Sequence, residues 1–202
     1  MCWWFNKFAN FNSFISSNEG IGPFALPAAI RGATVFANDL NPESYKWLLH
    51  NIKLNKRATL RVTAFNLDAK DFITGPLKEH LLQINCDQED FSNFSAHITM
   101  NLPGSAVDFL PYFIGLLDGN NRLKFTLFIH CYLFSLKSEG IDHAKLIVEN
   151  KLGESLTSGF HIHMVRNVSQ SKNHYCVTFQ CDHMNFLYNQ NLFAKRIKLN
   201  DS

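Results

Sequence analysis

A glycine-rich turn followed by an acidic residue constrains the fold of this chain more than any other feature. Residues 20–25 (GIGPFA) have the pattern Gly-x-Gly-x-x-Ala, and Asp39 follows Gly22 by 17 residues, behind a short apolar run. A glycine turn at a strand end, a helix, a second strand and an acid form one half of a nucleotide-binding sheet. Gly20 and Gly22 allow close backbone approach to a ligand, and Asp39 can accept hydrogen bonds from a ribose diol.

The chemistry of the turn indicates what kind of nucleotide it binds. A pyrophosphate is best held by a turn in which every backbone N–H is free to donate. Pro23 has no N–H, although proline is well tolerated in the first turn of a helix. The turn therefore favours a ligand without phosphates, such as S-adenosylmethionine.

Strand and helix patterns alternate along the rest of the chain. Residues 75–93 are polar and mixed, and they predict an inserted, mostly solvated loop that is partly helical around 77–84. The alternation ends in a hairpin, which predicts an α/β fold with a mostly parallel central sheet, one antiparallel strand and helices on both faces. We predict strands at 60–65, 96–100, 123–133, 161–168 and 175–181, and helices at 43–55, 105–117 and 142–151.

Composition limits the functional classes. The 202 residues are 46% apolar, which supports a sizeable core, and no apolar run is long enough to predict a membrane span. A net charge of +2 neither requires nor excludes a nucleic-acid partner.

Cysteine and histidine usage does not predict a metal site. The five cysteines include no Cys-x-x-Cys pair, so we expect neither a disulfide scaffold nor a zinc site, and we expect a reducing intracellular compartment. His161 and His163 share one face of a predicted strand, but the sequence shows no clear further ligands.

Several segments, in this order, resemble the family of archaeal and eukaryotic tRNA (guanine-N1)-methyltransferases, which modify the guanine 3′ of the anticodon. The longest and most specific is NDLNPESYKWLLHNIKLNK, at residues 38–56. The resemblance implies a class I, Rossmann-like methyltransferase fold and S-adenosyl-L-methionine as the cofactor. The other matching segments are GIGPFALPAA (20–29), FNLDAKDF (65–72), ITMNLP (98–103) and VRN…YCVTFQ (165–167 and 175–180).

The resemblance also implies the residues of the site. Asp68 is expected to meet the adenine amino group, although it could equally cap the helix that follows. Asn101 and Pro103 of the Asn-Leu-Pro motif are the expected catalytic residues: Asn101 contacts the guanine and Pro103 stiffens the turn. The other reading of Asn101 is a helix cap. The implied cofactor-binding residues are Gly20, Gly22, Phe24, Asp39, Leu40, Asn41, Asp68 and Asn101.

The start of the chain departs from the family pattern. Family members have an apolar strand closed by Phe-Ala-Gly, whereas this chain has Asn18-Glu19-Gly20. We expect a truncated or mispredicted start, the alternative being a divergent member whose first strand is FNSFIS (11–16). The expected division is an atypical segment at 1–18, the S-adenosylmethionine-dependent methyltransferase domain at 19–183 and a tail at 184–202.

The expected activity is methyl transfer from S-adenosylmethionine to N1 of guanine-37 in tRNA. We expect a monomer that binds the anticodon region of tRNA and no membrane, in the cytoplasm, the nucleus and/or the mitochondrial matrix. In the family the general base and a supporting arginine lie upstream of the glycine turn, so we expect weak or no activity from this chain alone. Alternatives are a wybutosine-pathway aminocarboxypropyl transferase, a catalytically inactive S-adenosylmethionine-binding module and a nicotinamide oxidoreductase.

Overall fold

Seven strands form a single sheet in the computed structural model, which describes residues 12–87, 91, 93–117 and 122–189. The strands are β1 (Ser13–Ser16), β2 (Thr34–Asn38), β3 (Val62–Phe65), β4 (Ser95–Met100), β5 (Thr126–Leu136), β6 (Phe160–Asn167) and β7 (Lys172–Gln180).

The helices alternate with the first five strands and return once more before the final hairpin. They are α1 (Ala25–Ile30), α2 (Pro42–Leu54), α3 (Ala69–Phe72), α4 (Lys78–Asp87), α5 (Ala106–Phe109) and α6 (Gly140–Leu152). A π-helical segment, Ile73–Leu77, joins α3 to α4, and short 3-10 segments lie at Leu110–Phe113, Lys137–Glu139 and Asn185–Leu187.

The strand order confirms the predicted fold class. It is β3-β2-β1-β4-β5-β7-β6, with parallel pairing from β3 through β5 and antiparallel pairing of β7 to both of its neighbours. The order reverses between β1 and β4. In open α/β sheets the crevice at such a switch point, outside the carboxyl ends of the strands, is where ligands bind.

The central strand β1 comes from the segment whose sequence departs from the family pattern. All four residues of β1 are buried, and Ser16 lies opposite Ala37 of β2 on one side and Thr99 of β4 on the other. The predicted N-terminal segment, 1–18, therefore contributes a strand to the middle of the sheet, whereas residues 1–11 lie outside the described part of the chain.

Helices cover both faces of the sheet, as predicted. Successive residues of a strand point to opposite faces, so Phe14 packs in one core and Ile15 in the other. The first core includes Leu48 of α2 and the buried alanines of α1. The second, larger core receives apolar residues of α3, α4, α5 and α6, such as Phe72 and Val148.

The helix predicted around 77–84 is confirmed, but the prediction that 75–93 is mostly a solvated loop is wrong for this helix. Residues Lys78–Asp87 form α4, and Leu77, Leu81 and Ile84 are buried in the larger core. These three residues lie at helical spacing, one turn apart, so one face of an otherwise polar segment packs on the sheet.

The predicted helix at 105–117 is much shorter than expected. The α-helix ends at Phe109, and Leu110–Phe113 form a 3-10 turn. Pro111 explains the end, because it has no backbone N–H with which to continue the α-helical hydrogen bonds.

The predicted C-terminal tail is folded over its first residues. Phe186 and Leu187 are buried, and their carbonyl groups accept hydrogen bonds from Gly115 and Leu117. Residues 195–198 (KRIK) form a small basic cluster in the sequence and lie outside the described residues. No helix in the described part of the chain is both long and apolar enough to cross a membrane.

Candidate functional site

A cleft of about 800 Å³ opens at the carboxyl ends of β1, β2, β3 and β4, next to the switch point of the sheet. The loop after each strand contributes to it. Its lining comprises Asn18, Glu19, Gly20, Ile21, Pro23, Asp39, Leu40, Asn41, Pro42, Asp68, Ala69, Asn101, Leu102 and Phe109.

The cleft brings together most of the residues that the sequence predicted for the site. The predicted residues that line it are Gly20, Asp39, Leu40, Asn41, Asp68 and Asn101. Gly22, Phe24 and Pro103 are not among the lining residues. The binding and catalytic roles of all nine stay predictions.

Gly22 supports the cleft from behind. Its φ of +106° is rare for any residue with a side chain, and a Cβ there would lie 3.1 Å from Leu26 and 3.2 Å from Leu48. The missing side chain therefore lets the turn pack between α1 and α2. Phe24 is also turned inwards, with its ring centroid 6.2 Å from that of Tyr132.

We expect Gly22→Ala to lower the free energy of unfolding by about 2 kcal/mol, because the new methyl group meets both backbone strain and close packing. Gly104→Ala is the matched control, since Gly104 has no positive φ and its Cβ would meet nothing within 4 Å. Urea unfolding of both variants measures the difference. Equal stabilities would show that the turn tolerates a side chain.

Asp39 connects the glycine turn to the loop after β2. One carboxylate oxygen accepts a hydrogen bond from the Gly20 N–H at 2.7 Å, and the other accepts from the Asn41 N–H at 2.9 Å. A carboxylate has about four lone-pair positions, so Asp39 keeps acceptor capacity for a ligand in the cleft.

Asn38, immediately before Asp39, joins the ends of three strands, a role that its sequence context does not predict. Its buried side-chain amide donates to the carbonyl groups of Ser17 at 3.2 Å and Leu67 at 3.0 Å. Its carbonyl oxygen accepts from the Leu67 N–H at 2.9 Å. These bonds fix the loops after β1 and β3 to the end of β2, so the shape of the cleft depends on Asn38.

Asp68 and Asn41 both cap helices beside the cleft. Asp68 accepts from the Lys70 N–H at 2.8 Å at the start of α3, and Asn41 accepts from the Glu43 N–H at 2.9 Å at the start of α2. The capping reading of Asp68 is therefore confirmed, and capping leaves the second carboxylate oxygen of Asp68 available to a ligand.

Glu19 is a buried acid whose role was not predicted from the sequence. Its side chain is 1% exposed, and Oε1 accepts hydrogen bonds from the N–H groups of Phe24 at 2.7 Å and Ala25 at 2.6 Å. Oε2 has no hydrogen-bond partner among the described residues. The Ser16 hydroxyl lies near enough to favour the charged form, but its geometry does not make a hydrogen bond to Oε2.

Burial raises the pKa of Glu19 from 4.5 to about 7, against the opposing effect of the Ala25 and Phe24 N–H groups, and the nearby charge of Asp39 adds to the rise. The folded state therefore keeps a proton that the unfolded state releases between pH 4.5 and about 7. The contribution of Glu19 to stability is fully present below pH 4.5 and is lost as the pH rises through about 7.

We expect the wild type to lose about 3 kcal/mol relative to Glu19→Gln as the pH rises from about 4.5 to about 7.5, because a glutamine amide does not ionise. Urea unfolding of both proteins across this range measures the difference, in which the other titrating groups cancel. If the free energies of unfolding of the two proteins changed with pH in parallel, burial would not raise the pKa of Glu19 in the folded state.

The charged side chains in the described lining of the cleft are all acidic. Its described lining contains the carboxyl groups of Glu19, Asp39 and Asp68 and no lysine, arginine or histidine. Three apolar side chains are open to solvent at the cleft: Ile21, Leu40 and Leu102 are 57%, 60% and 41% exposed. The site therefore combines hydrogen-bond acceptors with apolar surfaces, and it disfavours anions.

A sequence model of the TRM5/TYW2 methyltransferase domain matches residues 12–151, more than half of the chain. The chain belongs to this family. The match begins one residue before β1 and ends within α6, so it includes every loop that lines the cleft.

Two curated relatives of this TRM5/TYW2 domain have the same name. The tRNA (guanine(37)-N(1))-methyltransferase of Mus musculus is 47% identical over 175 residues, which is 86% of this chain and 34% of the mouse protein. The Homo sapiens protein of the same name is 46% identical over 162 residues, 80% of this chain and 31% of the human protein. The chain thus spans about a third of the length of these relatives.

Solved structures confirm the fold. Trm5b from Pyrococcus abyssi is similar with a TM-score of 0.55 and 23% identity, over 86% of this chain and 46% of that one. TYW2 from M. jannaschii, solved in complex with AdoMet, has a TM-score of 0.56 and 20% identity, over 87% of this chain and 72% of that one. At these identities the likeness concerns the architecture alone.

Proposed function

We propose that the cleft binds S-adenosyl-L-methionine. The observation that carries this proposal is the charge of the lining, which has three carboxyl groups and no cationic side chain among the described residues. S-adenosylmethionine carries a sulfonium and an ammonium group against one carboxylate, so its net charge suits an acidic cleft. A nicotinamide dinucleotide carries a negatively charged pyrophosphate, which this lining would repel.

In this proposal, different residues of the cleft contact different parts of the ligand. Asp39 accepts hydrogen bonds from the ribose hydroxyl groups, and Asp68 accepts from the adenine amino group. Leu40 and Leu102 offer apolar surfaces to the faces of the adenine ring. When bound, the cofactor supplies an electrophilic methyl group attached to a positively charged sulfur.

We further propose that the acceptor is N1 of guanine-37 in tRNA. This substrate is supported by the shared name of relatives that are 46–47% identical to the chain. In this proposal Asn101, which follows β4 and lines the cleft, accepts a hydrogen bond from the edge of the guanine, and Pro103 stiffens the turn beside it.

The test is a single-turnover reaction with the chain in excess over an unmodified tRNA transcript. Because only weak activity is expected of this chain, the expected result is a small amount of 1-methylguanosine, detected by mass spectrometry after digestion, from a transcript with guanine at position 37 and none from one with adenine there. Methylation of both transcripts to the same extent would contradict the proposed target.

The same reaction distinguishes the remaining alternatives. An aminocarboxypropyl transferase would add a heavier group, which the mass of the nucleoside reveals. Binding of S-adenosylmethionine without any modified nucleoside would indicate an inactive binding module. A monomeric state and location in the cytoplasm, nucleus or mitochondrial matrix stay predictions.

A further inference from the structure

Glu19 stands out among the groups of the cleft because its position in the fold is unusual for an acid. It lies three residues after the end of strand β1 and immediately before the glycine turn, and its side chain is buried rather than directed to solvent. In the resembled family this position is the alanine of Phe-Ala-Gly. A carboxyl group at this position therefore distinguishes this chain from the family pattern.

Among the described residues, hydrogen bonds satisfy only one of the two carboxylate oxygens of Glu19. Two short hydrogen bonds from Phe24 and Ala25 satisfy Oε1, but Oε2 is buried without a hydrogen-bond partner in the described residues. The charged group that acts on it is Asp39, at the end of β2; the other charged residue of the described cleft lining is Asp68, after β3, and both are acids. The adjoining helix α1 (ALPAAI) presents no charged side chain.

We propose that Glu19 is a specificity-determining residue of the cleft, whose buried carboxylate selects a positively charged sulfonium ligand over the uncharged thioether of the same framework. The inference rests on the proposed S-adenosylmethionine site. A carboxylate shielded from water acts over a longer distance than an exposed one, because little solvent screens its field. After methyl transfer the ligand loses its sulfonium charge, so the ionised carboxylate favours exchange of product for fresh cofactor.

This selectivity depends on pH. Burial and the neighbouring Asp39 place the pKa of Glu19 at about 7, so the group is mostly neutral at about pH 6 and mostly charged at about pH 8. The preference for the sulfonium ligand should therefore be small at the lower pH and larger at the higher one. By linkage, binding the sulfonium ligand near pH 7 should also release protons from the protein.

The experiment is calorimetric titration of S-adenosylmethionine and S-adenosylhomocysteine into the wild type, Glu19→Gln and Glu79→Gln, at about pH 6 and about pH 8. Glu79 is an exposed acid in the first turn of α4 and serves as the matched control. The amino group of each ligand titrates equally with all three proteins, so the comparison between proteins isolates Glu19.

In the wild type and in Glu79→Gln, we expect the ratio of the two dissociation constants to favour S-adenosylmethionine about five-fold more at the higher pH. In Glu19→Gln the ratio should change far less. A flat ratio in the wild type, or the same rise in Glu19→Gln, would overturn the proposal.

A second variant and the binding of the wild type itself give a result in every case. If Glu19→Gln unfolds, Glu19→Ala, which has the alanine of the resembled family, replaces it, and the pH dependence of the wild type still tests the proposal. Absence of binding by either ligand to the folded wild type at both pH values would refute the proposed cofactor and this inference together. Binding of both ligands without the predicted pH dependence refutes the inference alone.

Discussion

Asn38→Ala is expected to lower the free energy of unfolding by about 3 kcal/mol. The substitution removes three hydrogen bonds made by a fully buried side chain, to Ser17 and Leu67. Each bond contributes about 1 kcal/mol, and the backbone groups left without a partner add to the cost. For a chain of this size the loss corresponds to a fall of about 9 °C in the melting temperature.

The control for Asn38→Ala is Asn51→Ala. The Asn51 side chain donates to the Ile21 carbonyl at 2.9 Å in an exposed setting, so water can replace this bond, and we expect a loss below about 1 kcal/mol. Differential scanning calorimetry measures both variants. A loss for Asn38→Ala no larger than that for Asn51→Ala would show that the three strand ends do not depend on this amide.

Asp39→Ala is expected to weaken the binding of S-adenosylmethionine by at least about 100-fold. The substitution removes the proposed acceptor of the ribose hydroxyl groups, and two charge-assisted hydrogen bonds account for a change of this size. It also frees the N–H groups of Gly20 and Asn41, so the turn loses the bond that fixes it. Calorimetric titration at matched protein concentration measures the effect.

Asp71→Ala is the control for Asp39→Ala. Asp71 is an exposed acid on α3, and it is absent from the lining of the cleft. Its removal changes the net charge of the chain by the same amount, and we expect the affinity to change less than about three-fold. Similar losses in the two variants would mean that the net charge of the protein, rather than the position of Asp39, governs binding.

The location of the site was predictable because parallel strands end at the same edge of a sheet. Asp39, Asp68 and Asn101 each follow a segment with the pattern of a strand, and these three segments became β2, β3 and β4. To predict that these residues converge, only the strand order is needed, and the alternation of strands and helices suggests that order.

The contributions of Asn38 and Glu19 could not be predicted in the same way. The bonds of Asn38 reach Ser17 and Leu67, which are 21 and 29 residues away along the chain and meet it only in the folded sheet. Glu19 precedes a glycine in a polar stretch and reads as an exposed acid. It is buried because the glycine turn brings the Phe24 and Ala25 N–H groups back onto it.

Average polarity misled the prediction of solvent exposure at α4, although the helix itself was predicted around 77–84. The polar residues of 78–87 outnumber the apolar ones, but the buried positions recur at a helical period that an average does not detect. Strand β1 was hard to predict for a different reason. It is buried on both faces, so its four residues show no alternation of polar and apolar side chains.

The most direct test of the account is calorimetric titration of the wild type with S-adenosylmethionine and, separately, with NAD at about neutral pH. We expect S-adenosylmethionine to bind with a stoichiometry of about one and NAD not to bind, because the cleft has three carboxyl groups and, among its described lining residues, no cation to meet a pyrophosphate. Binding of NAD, or binding of neither ligand by the folded chain, would contradict the assignment of this cleft to a sulfonium cofactor.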